Sequence, residues 1–265
     1  KQSDPKPLRA GSLLRVKDIA ANGNTNKGAV VAVGWHETSR PGRLYLAFST
    51  DGGEDYRRNN GKLRRYPIVG DPRRGVSLAI CSRRVWAGSI YEDPNGNGSR
   101  VLLTSRTIGG GAAQQWVTPL DGRKVRDVSI ACAGNKLLAV GWLEKKNSRK
   151  RGRLLLRSMD ALGTRPDIEL KYKLGPAEMK GGLDVAATPS AVMTTFVRSG
   201  DLRLKRFEID ADDPSTIAQS ATATVAWNDI KGPRMAARGQ RVVVAYSDAG
   251  KVKAKLSRDS GATFG

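Results

Sequence analysis

The sequence is short of the residues that build most metal, redox and membrane functions. It has one histidine and two cysteines. Zinc and its relatives are held by clusters of those side chains, so no metal site and no cofactor are expected. No window approaches the roughly eighteen consecutive apolar residues of a membrane-spanning helix. The opening segment Lys1–Pro7 is polar, so no signal peptide is read in the sequence as given, although a mature secreted chain would read the same way. Acidic residues are also scarce: 25 Asp and Glu stand against 46 Lys and Arg, a formal charge of +21 over 265 residues. Acidic partners follow from that surplus, among them nucleic acid, anionic glycans or wall polymers, and acidic lipid surfaces. The usual nucleic-acid motifs are missing, so sequence-specific nucleic-acid recognition is not expected. Helical periodicity is nearly absent.

What is present is a repeat. An apolar strand ending in an aromatic or large apolar residue recurs at Trp35, Ile90, Trp142, Phe196 and Tyr246. Each is followed by a second strand beginning at Gly42, Ser99, Gly152, Gly200 and Gly250, at intervals of 57, 53, 48 and 50 residues. A shorter strand precedes each apolar one, and a fourth fits after the second series, as in the segments from Leu63 and Ile168. Four antiparallel strands at this period describe the blades of a β-propeller, in which each small sheet buries its faces against its neighbours. The predicted fold is therefore all-β, a propeller of about five four-stranded blades over 1–265. The blades run roughly 12–66, 67–120, 121–175, 176–228 and 229–265, the last completed by 1–11. The alternative left open is a fragment of a six- or seven-bladed propeller. Aligning the repeats sets Cys132 opposite Ile80, one residue out of step with Cys81. The strand period of two then points the two side chains to opposite faces, and free, buried thiols are expected rather than a disulfide.

Two segments just after the third strands carry a resemblance. Ser49-Thr50-Asp51-Gly52-Gly53-Glu54-Asp55-Tyr56 and Ser257-Arg258-Asp259-Ser260-Gly261-Ala262-Thr263-Phe264 resemble the Asp-box of sialidase-type propellers, with eroded versions in the same slot of the other repeats. The physical reading of the box is structural. Asp51, Asp259, Ser49 and Ser257 accept hydrogen bonds from nearby backbone N–H groups; Gly53 and Gly261 supply positive φ; Tyr56 and Phe264 plug the gap between sheets. The family's enzymes clamp a carboxylate with arginines and use a tyrosine nucleophile with acidic partners. By resemblance Arg15 would match the first such arginine and Tyr246 the nucleophile. However, Lys17 stands where the family has proline, the loop Thr38–Arg43 holds no aspartate, and Tyr246 also fits the repeated core aromatic.

Two residues beyond each repeated aromatic lie Glu37, Glu92, Glu144, Arg198 and Asp248. Equivalent blades would place them in a ring around one channel mouth, able to seat a cation or to do acid/base work; the plainer reading is polar strand ends paired with nearby arginines. The densest basic run, Lys145 to Arg153, falls in the loop between the second and third strands of the third blade, where Lys145, Arg149 and Arg151 could grip a polyanion beside Trp35 and Trp142. The expectation is a monomeric, non-enzymatic binding propeller for an anionic polymer or an acidic protein surface, exported or in the cell envelope by the family's habits. The alternatives are a sialidase-type glycoside hydrolase using Arg15, Tyr246 and a ring acid such as Glu37, and an assembly factor for a larger complex.

Overall fold

A computed structural model describes residues 14–22, 30–37, 44–52, 56, 65–71, 76–81, 84–93, 95–96, 98–108, 114–117, 124–133, 137–158, 169–178, 182–209 and 217–265. These form five antiparallel sheets, four of them four-stranded and one three-stranded among the described residues. The first holds β1 (Leu14–Asn22), β2 (Val30–Glu37), β3 (Leu44–Ser49) and β4 (Tyr66–Ile68); the second β5 (Val76–Cys81), β6 (Arg84–Glu92), β7 (Ser99–Thr107) and β8 (Gln114–Val117). The third holds β9 (Lys124–Ala133), β10 (Leu137–Lys146), β11 (Arg149–Ser158) and β12 (Glu169–Pro176); the fourth β13 (Leu183–Thr188), β14 (Ala191–Arg198), β15 (Asp201–Ile209) and β16 (Ile217–Ala226). The last holds β17 (Lys231–Arg238), β18 (Arg241–Asp248) and β19 (Lys251–Ser257). Within each sheet the strands follow chain order, and the first strands β1, β5, β9, β13 and β17 lie side by side. The protein is a five-bladed β-propeller. Residues 1–11, expected to complete the last blade, lie outside the described residues.

The middle strands of the second, third and fourth blades are apolar on both faces because each of these blades lies between two others. β14 is buried from Ala191 to Val197, and the period of two sorts its side chains between neighbours. Ala79, Cys81, Trp86 and Ile90 from the second blade pack with Val128, Ile130, Val140 and Trp142 from the third. Leu143, Leu154 and Leu174 from the opposite face of the third blade meet Leu183, Phe196 and Phe207 of the fourth. Close approach needs a missing side chain at equivalent points of two blades: a Cβ on Gly141 would sit 2.5 Å from Val185 Cγ2, and one on Gly88 2.9 Å from Ile130 Cγ2.

The expectation of free thiols is overturned. Cys81 and Cys132 form a disulfide with Cα atoms 5.4 Å apart. The period-two argument holds within one sheet, but successive propeller blades meet by opposite faces. Side chains that point oppositely in the second and third blades are the ones that converge, as the shared cluster of Cys81 and Ile130 shows.

The far face of the last sheet is different in kind. Val243, Val252 and Leu256 are exposed there, while Val242, Val244 and Tyr246 on its other face are buried against the fourth blade.

Candidate functional site

Of the five residues expected at the channel mouth, Glu37, Glu92, Arg198 and Asp248 end a second strand and Glu144 lies two residues before the end of β10, and their environments diverge. Glu144 is buried; its Oε1 accepts from Arg153 Nε at 2.7 Å and its Oε2 from Trp142 Nε1 at 3.2 Å. Asp248 accepts from Lys253 Nζ at 2.6 Å. Glu92 and Arg198 are exposed. The side chains of Glu37 and Arg15 lie outside the described residues. The aromatic or large apolar residues two positions earlier are all in the core, Tyr246 at 5% exposure among Val242, Val244 and Met193.

The basic run from Lys145 to Arg153 is ordered rather than an open loop, which corrects the expectation. The β10–β11 ladder continues through Glu144↔Arg151 and Lys145↔Lys150 to Lys146↔Arg149, and turns at Asn147, whose φ is 54°. In the fourth blade the ladder ends at Arg198↔Asp201, the pair that corresponds to Glu144↔Arg151. The third blade's hairpin is thus two residue pairs longer, and Lys145, Arg149 and Lys150 on it are exposed with Arg151 half-buried. A ladder holds cations at fixed spacing, which loses less entropy on binding than a mobile loop.

Matching ladders reveal a slot whose chemistry changes from blade to blade. In the third blade, facing the second, it holds Trp142, Glu144, Arg153 and Leu155; Trp142 pairs with Arg153 and Val140 with Leu155. The fourth blade, facing the third, has Phe196, Arg198, Arg203 and Lys205 in those places. In the last blade they are Tyr246, Asp248, Lys253 and Lys255. An acid neutralises the base in the third and last blades, but Arg198 replaces it in the fourth. A cavity of about 500 Å³ opens there, lined by Leu174, Gly175, Phe196, Arg198, Ser199, Arg203, Lys205 and Thr222. Arg203 leans instead on its neighbours, donating from Nη2 to Asp201 Oδ2 at 3.0 Å and from Nη1 to Thr224 Oγ1, while its buried Nε–H finds no acceptor. Burial and then the nearby Arg198 charge hold the Lys205 ammonium below its ordinary value.

A belt around the inner strands escaped sequence reasoning. Asp18, Ser77, Ser129, Asp184 and Arg234 occupy one register position, each opposite the second strand at Gly34, Gly88, Gly141, Thr195 and Ala245. Ser77 Oγ accepts from Ile130 N at 3.1 Å, Ser129 Oγ from Val185 N at 3.0 Å, and Asp184 Oδ2 from Met235 N at 2.6 Å, so the second, third and fourth blades each tie their successor. Asp184 Oδ1 also accepts from Ser129 Oγ at 2.5 Å. Asp127 makes a second tie, accepting from Leu183 N at 3.0 Å. Burial raises both carboxyls, Asp184 to about 6, against the opposing pull of its hydrogen bonds and Arg234. The available signal was the recurring polar residue followed by an apolar one and alanine, as in Asp18-Ile19-Ala20, Ser77-Leu78-Ala79 and Asp184-Val185-Ala186.

The turn after β19 is closed by its own side chains. Ser257 Oγ donates to Asp259 Oδ1 at 2.7 Å and accepts from Gly261 N at 2.8 Å; Asp259 accepts from Thr263 N at 2.9 Å and Thr263 Oγ1 at 2.6 Å. These donors hold the Asp259 carboxyl well below the usual range. Gly261 has φ +81°, and Phe264 packs on the core between the last two blades. After β3, Ser49 Oγ donates to Asp51 Oδ1, the positive φ falls on Gly52, and Tyr56 packs beside Trp35 and Tyr45; Gly53 lies outside the described residues.

No family model matches the chain, and no curated protein matches it. Solved structures do. A protein of unknown function from Dyadobacter fermentans is 12% identical with a TM-score of 0.55, covering 89% of this chain and 74% of its own. A neuraminidase-like protein of A/flat-faced bat/Peru is 10% identical with a TM-score of 0.52, covering 97% and 73%. An exo-β-1,3-galactanase from Clostridium thermocellum is 12% identical with a TM-score of 0.49, covering 79% of this chain and 49% of its own, so the chain spans about half the length of that protein. At such identities the first two likenesses show the propeller fold and leave the chemistry to the residues.

Proposed function

We propose that the chain is a non-enzymatic binding propeller that docks an anionic polymer. The observation that carries this reading is the extended third-blade hairpin, where Lys145, Arg149, Lys150 and Arg151 are set at ladder spacing on a chain of net charge +21. Cations at fixed spacing neutralise successive charges of a polyanion and release its counterions, which makes affinity fall steeply with salt. Binding is favoured over turnover because Tyr246 is spent on the core and both oxygens of Asp184 are spent on neighbouring groups. The turns at Ser257–Phe264 and Ser49–Tyr56 support kinship with sialidase-type propellers at the level of architecture. The disulfide supports an oxidising compartment, outside the cell or in its envelope.

The test is retention on immobilised heparin against a salt gradient. The wild type is expected to elute late, and a Lys145→Ser, Arg149→Ser, Arg151→Ser variant distinctly earlier with an unchanged far-ultraviolet spectrum. Equal elution of the two, or wild-type elution insensitive to salt, would overturn the reading. Retention by an acidic protein and not by heparin would transfer the site to a protein partner.

A further inference from the structure

The cavity between the third and fourth blades has the lining of a ligand seat rather than a packing defect. Arg198, Arg203 and Lys205 line it together with the apolar side chains of Leu174 and Phe196 and with Thr222. Its volume of about 500 Å³ exceeds what a bare oxyanion fills and falls in the range of sites for small organic ligands. A packing defect would be apolar and would not gather like charges, since burying cations together raises the energy of each. Nor does the repeat require this charge, because the equivalent positions of the third blade hold Glu144, Arg153 and Leu155 and close on themselves. Arg203 is left one acceptor short at Nε, and Asp201 answers only part of the charge. Guanidinium groups favour carboxylate and sulfate oxygens, and apolar side chains suit the C–H face of a sugar ring.

We propose that this cavity seats one carboxylate- or sulfate-bearing sugar unit, the acidic group facing Arg198, Arg203 and Lys205 and the ring resting on Leu174 and Phe196. The seat deepens the polyanion reading, on which it rests for the sign of the ligand's charge, and adds a recognition element to the charge-only grip of the hairpin. The hairpin and the seat are separate, so either can fail alone.

Titration calorimetry with glucuronate, glucose 6-sulfate, glucose and inorganic sulfate tests it. Saturable binding of at least one acidic sugar is expected, with none for glucose, and a loss of at least ten-fold in both Arg203→Met and Arg198→Met. Arg198 is exposed at a strand end, so its variant keeps the test valid even where Arg203→Met fails to fold. The absence of saturable binding by either acidic sugar, or equal binding by wild type and Arg198→Met, overturns the seat. Inorganic sulfate bound as tightly as the sugar sulfate overturns the sugar assignment. If the seat fails while the wild type still binds heparin and the hairpin variant does not, the polymer reading stands without it.

Discussion

The interface between the second and third blades and the one between the third and fourth use the same strands of the repeat to opposite ends. The first is closed: a disulfide joins its inner strands, Trp86 and Trp142 fill it, and Glu144 neutralises Arg153 at its rim. The second is equally apolar at depth, with Phe196, Phe207 and Leu174. Its rim substitutes Arg198 and Lys205 for the acid and the leucine and opens into a cavity. The fold thus sets which residues meet between blades, and the charge at the rim separates a sealed meeting place from an open one.

The largest expected effect lies at the closed interface. Cys81 and Cys132 are 51 residues apart, and constraining a loop of that length in the unfolded chain stabilises by about 4 kcal/mol. Chemical denaturation of Cys132→Ala is expected to show that loss, and a denaturation midpoint unaffected by the change or by reductant would mean that the disulfide does not hold this interface closed. Next comes the rim pair. Glu144→Gln leaves the partly buried Arg153 without its counter-charge and is expected to cost about 3 kcal/mol. The matching change on the open side, Asp201→Asn, should cost well under that, because Arg203 is half-exposed. Equal losses at the two positions would erase the contrast between the interfaces.

A pH dependence belongs to the belt that runs under both interfaces. The Asp184 carboxyl is raised in the folded protein from 3.8 to about 6. Between about pH 4 and pH 6 the folded state therefore binds more protons than the unfolded one, and stability falls as pH rises through that window. A shift of this size corresponds to a penalty of about 2 to 3 kcal/mol, absent below the window and fully present above it. Asp184→Asn should flatten most of that slope, and an unchanged slope would assign it to Asp127 or elsewhere. Asp259 acts in the other direction: its depressed carboxyl stabilises the fold above the ordinary carboxylate range, and that contribution fades as pH falls through the folded value.

Much of the propeller was legible because β strands announce themselves locally. The runs ending at Trp35, Trp142 and Phe196 are apolar on both faces, as central blade strands must be, and the turns after β3 and β19 mark the period. What could not be read was anything that depends on how one sheet faces the next. The alternation that sets Cys81 and Cys132 on opposite faces holds inside a sheet, and the convergence of opposite faces between sheets turns that same alternation into a meeting of the two sulfurs. Ser77, Ser129 and Asp184 look like ordinary polar strand residues until the neighbouring inner strand brings a backbone N–H to each. Arg198 was visible as the basic member of an otherwise acidic set. Its consequence needed the ladder that puts Arg203 and Lys205 beside it, where Arg153 and Leu155 stand in the third blade.

The contrast is tested most directly by moving the closed rim into the open interface. Arg198→Glu with Asp201→Arg reproduces Glu144 and Arg151 beside Arg203 and leaves the net charge at +21, because the two changes cancel. The variant is expected to fold at least as stably as the wild type, to keep its retention on heparin through the hairpin, and to bind the acidic sugar at least ten-fold more weakly. Undiminished binding of the sugar by this charge-neutral exchange would contradict the claim that the charge at the rim decides between a sealed interface and a ligand seat.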